Sequence, residues 1–334
     1  ALLGGTVHKS ECLAALTYMT RPHSMINGEF IAAYEHAFAK QVGVRYAHSF
    51  ASGRVALYGL LIQLGVGPGD EIILQVPTHI VVANAIRYIG AVPVYADCSA
   101  DAWNMDVSKV ERLITHRTKV LLVQHTFGIP SQMDDIEALA RKHGLIILED
   151  CVHALGATFK GRQVGSFGRA AFFSTEETKI ISTTMGGMAV TDDPVLAAGM
   201  KTFQDSCPWP ARHQVVRYLL KLVMYFYLTE PHVHPYARAL YEASGNRMPL
   251  PRPTVYEELI GHKPPVYEQR LSNAQADIGL RQISALKSNI AHRRKIARIY
   301  HSMLSGSLLG VPRIQADAEP SYVRYPVFVP DRRK

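Results

Sequence analysis

The segment from Ser174 to Met188 places a lysine in surroundings suited to covalent chemistry. Lys179 lies five residues after Ser174, which ends an apolar run, and seven residues before the pair Gly186-Gly187. A lysine amine can form a Schiff base with a carbonyl compound, and neighbouring hydroxyl groups and glycine amides can bind a phosphate. Because most lysines are solvated surface charges, this segment predicts such a site only with support from elsewhere.

Support comes from Asp150, about thirty residues upstream. Residues 145–149 form an apolar run that follows Gly144 and ends in carboxylates, which is typical of a buried parallel strand. Ligands of open α/β sheets bind beyond the carboxyl ends of strands, where Asp150 is expected. A carboxylate there suits pyridoxal phosphate (PLP), because an anion beside the pyridine nitrogen keeps the ring protonated and able to accept electrons.

Other motifs follow along the chain in a specific order. They are Ala51-Ser52-Gly53-Arg54, Gly67-Pro68-Gly69-Asp70-Glu71, Thr78-His79-Ile80, Gly90-Ala91-Val92-Pro93, Phe127-Gly128-Ile129-Pro130, Glu149-Asp150-Cys151-Val152-His153, Gly165-Ser166-Phe167-Gly168, the Lys179 segment and Arg270-Leu271-Ser272-Asn273. In this order and spacing, over about residues 29–331, the chain resembles the DegT/DnrJ/StrS family of PLP-dependent sugar aminotransferases.

The resemblance implies an α/β protein of PLP-transferase fold type I, the aspartate aminotransferase type. Its mainly parallel seven-stranded sheet would be flanked by helices, with a smaller C-terminal α+β lobe. The large PLP-binding domain is expected over residues 1–265 and the start of the small domain over residues 266–334. Family members usually continue beyond this point, so the lobe is expected to be incomplete.

The resemblance also implies a reaction and partners. An amino group would pass from an amino acid, with glutamate as the expected donor, to a keto group of a nucleotide-linked sugar. Relatives act as homodimers with the active site at the subunit interface. Products of such enzymes enter polysaccharide or antibiotic biosynthesis.

Catalytic and phosphate-binding roles fall on a few positions. Lys179 matches the lysine that holds PLP and moves the proton, and Asp150 matches the carboxylate on the pyridine nitrogen. The segment Ser52-Gly53-Arg54 precedes a predicted helix, whose amides and dipole favour a phosphate. Ser174 matches a serine that contacts the phosphate from the opposite side, although its hydroxyl could equally cap the next turn.

Two histidines match positions beside the cofactor ring. His79 takes the place of an aromatic residue that stacks on the ring, with an ordinary loop residue as the alternative. His153 takes the place of a glutamine or histidine near the ring face or its phenolic oxygen. His125, at the end of a predicted strand, is interpreted as structural.

Four residues, in three segments, depart from the family pattern. Arg54 replaces a threonine and could contact the phosphate in its stead. Glu268 replaces an asparagine that reaches the neighbouring subunit's phosphate, and a carboxylate there would repel phosphate. Thr184-Met185 replaces the usual Gly-Glu, which predicts a reshaped substrate pocket.

Two other functions remain open at this point. Some relatives dehydrate a deoxysugar, but they carry histidine where this chain has Lys179. A non-catalytic relative that senses a ligand or assists assembly at a membrane surface is the second alternative, motivated by Glu268, Arg54 and the apolar residues 215–228. We predict that this run is a buried helix at a seam of the dimer, since Arg217 and Lys221 interrupt it and it is too short to cross a bilayer.

The composition of the chain bears on its location and on its possible partners. The 334 residues include four scattered cysteines without a C-x-x-C pair, so neither disulfides nor a zinc site is predicted and a cytoplasmic location is expected. No signal peptide is predicted at the start of the chain. The net charge of +8 is dispersed, and the short clusters at residues 293–295 and 332–334 lack interleaved aromatics, so nucleic acid is not an expected partner. The first cluster is expected to lie on a solvated helix face.

Apolar periodicity predicts the elements that must position these residues. Strands are predicted at residues 71–75, 93–96, 119–124, 145–149, 170–174, 187–191 and, in the small lobe, 325–329. Helices are predicted at residues 55–64, 81–89, 136–142 and 274–304. Residues 208–265 have an irregular, insertion-like composition.

Overall fold

A computed structural model describes residues 7–20, 22–99, 103–243 and 256–329. The helices are α1 (Lys9–Thr20), α2 (Phe30–Val42), α3 (Gly53–Gln63), α4 (Ile80–Tyr88), α5 (Val107–Val110), α6 (Met133–His143), α7 (Pro194–Ser206), α8 (Arg212–Leu228), α9 (His234–Ala243), α10 (Tyr256–Leu259) and α11 (Asn273–Leu304). The strands are β1 (Tyr46–Phe50), β2 (Glu71–Val76), β3 (Val92–Asp97), β4 (Thr118–Gln124), β5 (Ile146–Asp150), β6 (Thr158–Phe159), β7 (Arg162–Gln163), β8 (Ala170–Ser174), β9 (Gly187–Thr191) and β10 (Ala318–Glu319).

The seven-stranded sheet has the order β1-β9-β8-β5-β4-β2-β3. Neighbouring pairs from β8 to β3 are parallel, whereas β9 runs antiparallel to both β8 and β1. The carboxyl ends of six strands therefore meet at one edge, together with the beginning of β9. This confirms the predicted fold class and brings the segments after β1, β2, β5 and β8 to a common edge.

Six of the predicted strands are confirmed with small shifts at their ends. Strand β1 was not predicted from periodicity, because its sequence Tyr-Ala-His-Ser-Phe mixes polar and apolar residues. The predicted strand at residues 325–329 is wrong, since only Phe328 forms a bridge there, with Gly310. Pro326 lacks a backbone N–H, which removes one donor that a ladder would need.

The helices cover both faces of the sheet, with apolar side chains buried on each side. Helix α6 shows how sequence sets their limits. Asp134 and Asp135 lie in its first turn and basic residues in its last, which suits the helix dipole. Gly144 ends it in a left-handed conformation with φ of 65°. The next residues then enter β5, which delivers Asp150 to the sheet edge.

Helix α8 contains the apolar residues 215–228. Val215, Leu219 and Leu222 are buried against α1 and α11 of the same chain, while Leu220 and Tyr227 are exposed. The helix prediction is confirmed, and its position at a dimer seam stays a prediction. Among the described residues, none of the helices is both long and apolar enough to cross a membrane.

The long helix α11 connects the sheet to the C-terminal part of the chain. Its first turns are buried against α2 and α1, which includes contact between Gly279 and Tyr34. The domain limit between residues 265 and 266 stays a prediction. The cluster at residues 293–295 is not simply solvated, because Arg293 and Arg294 donate to the carbonyl groups of Tyr322 and Pro320.

Candidate active site

A cavity of about 450 Å³ opens at the carboxyl edge of the sheet. It is bounded by the ends of β1, β2, β4, β5 and β8 and the segments that follow them, with Arg324 contributed by the C-terminal part. All eight residues singled out from the sequence line it: Ser52, Gly53, Arg54, His79, Asp150, His153, Ser174 and Lys179. Residues separated by more than a hundred positions are thus brought together, and their individual roles stay predictions.

The end of the cavity near α3 has the features of a phosphate site. Ser52 precedes the helix in an extended conformation, and its side chain makes no capping bond. A Cβ at Gly53 would lie 3.0 Å from the carbonyl oxygen of Phe173, and one at Gly187 would lie 2.3 Å from the Gly53 nitrogen. The two glycines therefore let β8, β9 and the start of α3 approach closely, which points the helix N-terminus into the cavity.

Ser174 faces this end from the close of β8. Its Oγ accepts a hydrogen bond of 3.3 Å from the backbone N–H of Glu176, so the hydroxyl does cap the following turn. The capping bond uses the oxygen as an acceptor and leaves the hydroxyl proton available to donate. The capping role and the predicted phosphate contact are therefore compatible.

Arg54 carries a charge partner that the sequence did not predict. Its guanidinium forms an ion pair with the carboxylate of Glu258, on the short helix α10. The Glu258 side chain is only 1% exposed, and Asn84 donates to its backbone carbonyl at 2.6 Å. Arg54 thus lines the cavity while it neutralises a buried acid, and any contact with phosphate would be shared with that acid.

Lys179 lies in the turn between β8 and β9. The Glu176 carboxylate accepts from the N–H and hydroxyl of Thr178 at 3.1 and 2.7 Å, which fixes this turn. Burial lowers the pKa of Lys179 and Arg324 lowers it further, whereas Glu176 and Asp150 oppose the change. A lowered pKa leaves more of the amine neutral near pH 7, and the neutral amine is the form that attacks a carbonyl carbon.

Asp150 ends β5 as a buried carboxylate. Its Oδ1 accepts from the N–H of Val152 at 3.1 Å. Burial raises the pKa of Asp150 to about 6, even though the Val152 N–H, Lys179 and His125 favour the charged form. A cation placed against this carboxylate, such as a protonated pyridine, would repay the cost of keeping it ionised.

Behind Asp150 lies a fully buried polar layer. His125 pairs with Glu149 at 3.0 Å and accepts from the N–H of Ser131 at 3.0 Å through Nδ1. Glu149 also accepts 2.7 Å bonds from the N–H groups of Gly165, Phe167 and Gly168. His125, Glu149 and Cys151 lie close enough together to be candidate metal ligands. The hydrogen bonds just described, however, already use the donors and acceptors of His125 and Glu149. The layer supports the structural interpretation of His125.

Burial and nearby cations lower the pKa values of both ring histidines. His79 caps α4, with Nδ1 accepting from Val81, and burial together with Lys179 and Arg54 lowers its pKa. Burial, Lys179 and Arg324 lower the pKa of His153 to about 3. The Nδ1 atom of His153 is buried without a partner among the described residues, and its ring stacks on Phe127. It is the polar atom in this wall that most needs a ligand.

Three of the residues that depart from the family pattern, Thr184, Met185 and Glu268, have defined positions and contacts in the structure. Met185 lines the cavity and Thr184 takes a left-handed backbone with φ of 69°, which a glycine adopts more easily. The Thr184 hydroxyl donates to the carbonyl of Tyr218 at 3.2 Å. Glu268 forms an ion pair with Lys263, so its negative charge is neutralised within the chain.

Sequence reasoning missed several residues of the cavity. Arg324 contributes a cation from the C-terminal part, and Gln124, Phe127 and Glu176 line the wall. Gln124 is the last residue of β4, so the rule for carboxyl ends of parallel strands could have found it. No motif or periodicity marked Arg324.

These residues fit PLP. An amine, a buried carboxylate, a helix N-terminus with hydroxyl groups beside it and an unpartnered buried imidazole nitrogen lie around one cavity. These are the groups needed for the aldehyde carbon, the ring nitrogen, the phosphate and a polar atom of the ring. The chemistry of the wall and its order along the sheet edge agree with that cofactor.

Known proteins resemble this chain over most of its length. The GDP-perosamine synthase of Escherichia coli O157:H7 is 33% identical over 295 residues, which cover 88% of this chain and 68% of the synthase. That of Caulobacter vibrioides is 34% identical over 278 residues, covering 83% of this chain and 62% of the synthase. The crystal structure of S. venezuelae DesV with a ketimine intermediate has a TM-score of 0.71 at 28% identity, covering 96% of this chain and 74% of DesV.

This chain therefore spans about two thirds of the synthases that it matches. A family model described as the DegT/DnrJ/EryC1/StrS aminotransferase family matches residues 7–221 and 228–334, nearly all of the chain. The match includes every segment that forms the cavity. The chain belongs to the DegT/DnrJ/EryC1/StrS family of PLP-dependent aminotransferases.

Proposed function

We propose that this protein transfers an amino group from an amino acid to a keto group of a nucleotide-linked sugar. One observation carries the proposal: Lys179, Asp150, Ser52 and Ser174, the residues expected to hold PLP, line a single cavity. The nucleotide-linked substrate is supported by the two related synthases, which are named for a GDP-linked sugar.

Each residue of the cavity would have a separate role in the reaction. PLP, when bound, supplies an electron sink for the carbanion formed at the α-carbon of the donor. Lys179 would hold the cofactor through Nζ and, once released, take and return the proton at the α-carbon, for which its lowered pKa suits it. Asp150 would keep the pyridine nitrogen protonated. Ser52, Ser174 and the α3 amides would bind the phosphate.

The donor, the assembly and the location are further parts of the proposal. Glutamate is the expected donor. The homodimer is supported by the exposed apolar side chains on α8, which include Leu220 and Tyr227. A cytoplasmic location is supported by the four cysteines, which are all free thiols.

Reduction with borohydride followed by peptide mapping tests the site. We expect a phosphopyridoxyl label on Lys179, and loss of the label in Lys179→Ala. Lys160→Ala is the matched control, because Lys160 is exposed and pairs with Asp134. A label on another lysine, or none, would show that the site is wrong. Incubation with glutamate and a panel of GDP-, UDP- and dTDP-linked ketosugars then tests the reaction.

A further inference from the structure

Arg324 is a cation of the cavity that the proposed mechanism does not use. It lines the wall together with Lys179 and His153, and its side chain is exposed. Among residues 7–20, 22–99, 103–243 and 256–329, no carboxylate pairs with its guanidinium, and no hydrogen bond of that group is found. Arg54, the other arginine of the cavity, is by contrast paired with Glu258. Of the two arginines in this wall, Arg324 is therefore the one that is open to an anionic ligand.

The backbone before Arg324 is held firmly against the sheet edge. The N–H groups of Ser321 and Val323 donate to the carbonyl oxygens of Gly128 and Phe127, at 3.0 and 3.1 Å. A Cβ at Gly128 would lie 2.8 Å from the Tyr322 nitrogen, so a glycine is needed for this contact. The segment reaches the cavity through specific packing with the turn after β4.

The conformation of this contact is costly for its residues. Tyr322 lies on one side of it and Phe127 on the other, and both take left-handed backbones, with φ of 50° and 56°. Non-glycine residues are strained in this conformation, and strained residues are concentrated at functional sites. On the other side of Arg324, Phe328 stacks on Trp103 with ring centroids 3.9 Å apart. The chain is thus pinned both before and after the arginine.

We infer that Arg324 binds the α-carboxylate of the amino-acid donor, an inference that rests on the proposed aminotransferase function. The α-carboxylate is one bond from the carbon that must reach Lys179. The diphosphate of a nucleotide-linked sugar is separated from the reacting carbon by the sugar ring. Since Arg324 shares the wall with Lys179 and His153, its position suits the nearer anion. A guanidinium can bind a carboxylate through two parallel hydrogen bonds.

The electrostatics of the wall agree with this assignment. Arg324 lowers the pKa values of both Lys179 and His153, so its charge acts at the reacting end of the cavity. The carboxylate of a bound donor would neutralise that charge. The donor would then be oriented with its α-carbon towards Lys179.

Separate half-reactions test the inference. The holoenzyme is mixed rapidly with glutamate, and the saturation curve gives a dissociation constant and a limiting rate. We expect Arg324→Gln to raise the dissociation constant for glutamate roughly 10- to 100-fold, the effect of losing a charge-assisted hydrogen-bonded pair. Arg324→Lys, which keeps the charge but not the paired geometry, should give a smaller rise. The half-reaction with the nucleotide-linked ketosugar should keep its parent constants.

Controls separate the possible failures. Arg298→Gln changes another exposed arginine, on α11 and outside this cavity, and should leave both half-reactions unchanged. Near-UV circular dichroism checks that each variant is folded. If Arg324→Gln does not fold, Arg324→Lys provides the test. A parent protein that accepts no amino acid refutes the proposed function. A reactive parent with unchanged glutamate binding in both variants refutes only the role of Arg324, as does a loss confined to the sugar half-reaction.

Discussion

Asp150→Asn should stabilise the cofactor-free protein and at the same time disable amino transfer. Burial raises the pKa of Asp150 from 3.8 to about 6. A carboxylate whose pKa is raised by folding weakens the folded state above that pKa, because the unfolded chain ionises more easily. At 1.36 kcal/mol for each pKa unit, the penalty is about 3 kcal/mol at pH 8.

The penalty depends on pH in a defined direction. It is complete above about pH 6, falls to about half at pH 5 and disappears below the ordinary pKa of the carboxyl group. Asparagine is neutral and can still accept the hydrogen bond from Val152. The variant should therefore gain up to about 3 kcal/mol in its free energy of unfolding at pH 8 and about half as much at pH 5.

Urea unfolding of the cofactor-free proteins at both pH values measures this gain. Asp317→Asn is the matched control, because Asp317 is exposed, and it should change stability by less than about 0.5 kcal/mol. With PLP restored, Asp150→Asn should slow the half-reaction with glutamate by several orders of magnitude, since the ring nitrogen loses its anion. A variant that is less stable than the parent at pH 8, or one that reacts at the parent rate, would refute the reasoning.

Three further predictions concern charge pairs and helix α8. Lys221→Met should lower the free energy of unfolding by about 3–5 kcal/mol, because it leaves the largely buried Glu177 without its cation; adding Glu177→Gln should recover most of the loss, and an unchanged urea midpoint would contradict this. Arg54→Ala should weaken PLP binding by about 1–3 kcal/mol in equilibrium dialysis. Arg54→Ala should cause the same loss when it is combined with Glu258→Gln. Full PLP affinity in this double variant would exclude a contact between Arg54 and the phosphate. Leu220→Glu should convert dimers to monomers in sedimentation, and salt-sensitive binding of the parent to anionic vesicles would favour a membrane surface instead.

The fold was predictable where the sequence repeats a simple pattern. Strands β4 and β5 are runs of buried apolar residues, and the helix before β5 ends at Gly144. Strand β1 was not predicted, because His48 and Ser49 break the apolar run and because the position of the strand is set by its pairing with β9. At the C-terminus, Tyr325 to Val329 have strand-like residue types, but a strand needs a partner along its length and only Phe328 has one.

The site was predictable where a residue type follows from the chemistry. Asp150 and Lys179 stand out because strand ends and glycine-flanked turns are local signals. Arg324 gave no such signal, since its role depends on packing against a turn from a distant part of the chain. The same holds for Glu258, whose importance appears only when Arg54 is beside it.

Two of the family departures bring their own counter-ions. Arg54 stands where a neutral threonine is usual, and Glu258 neutralises it. Glu268 stands where a neutral asparagine is usual, and Lys263 neutralises it, while contacts with Glu268 and Tyr58 raise the pKa of Lys263 against the effect of its burial. Each pair has the net charge of the residue it replaces.

The repulsion of phosphate expected from Glu268 is therefore weakened, and so is the attraction expected from Arg54. Charges on neighbouring opposite groups largely cancel at the distance of a third ion, so neither pair adds a strong field at the phosphate. Phosphate binding would then depend on the amides at the start of α3, on the hydroxyls of Ser52 and Ser174 and on the direct hydrogen bond proposed for Arg54, rather than on a long-range field. These groups are fixed by the close packing at Gly53 and Gly187, which the substitutions leave in place.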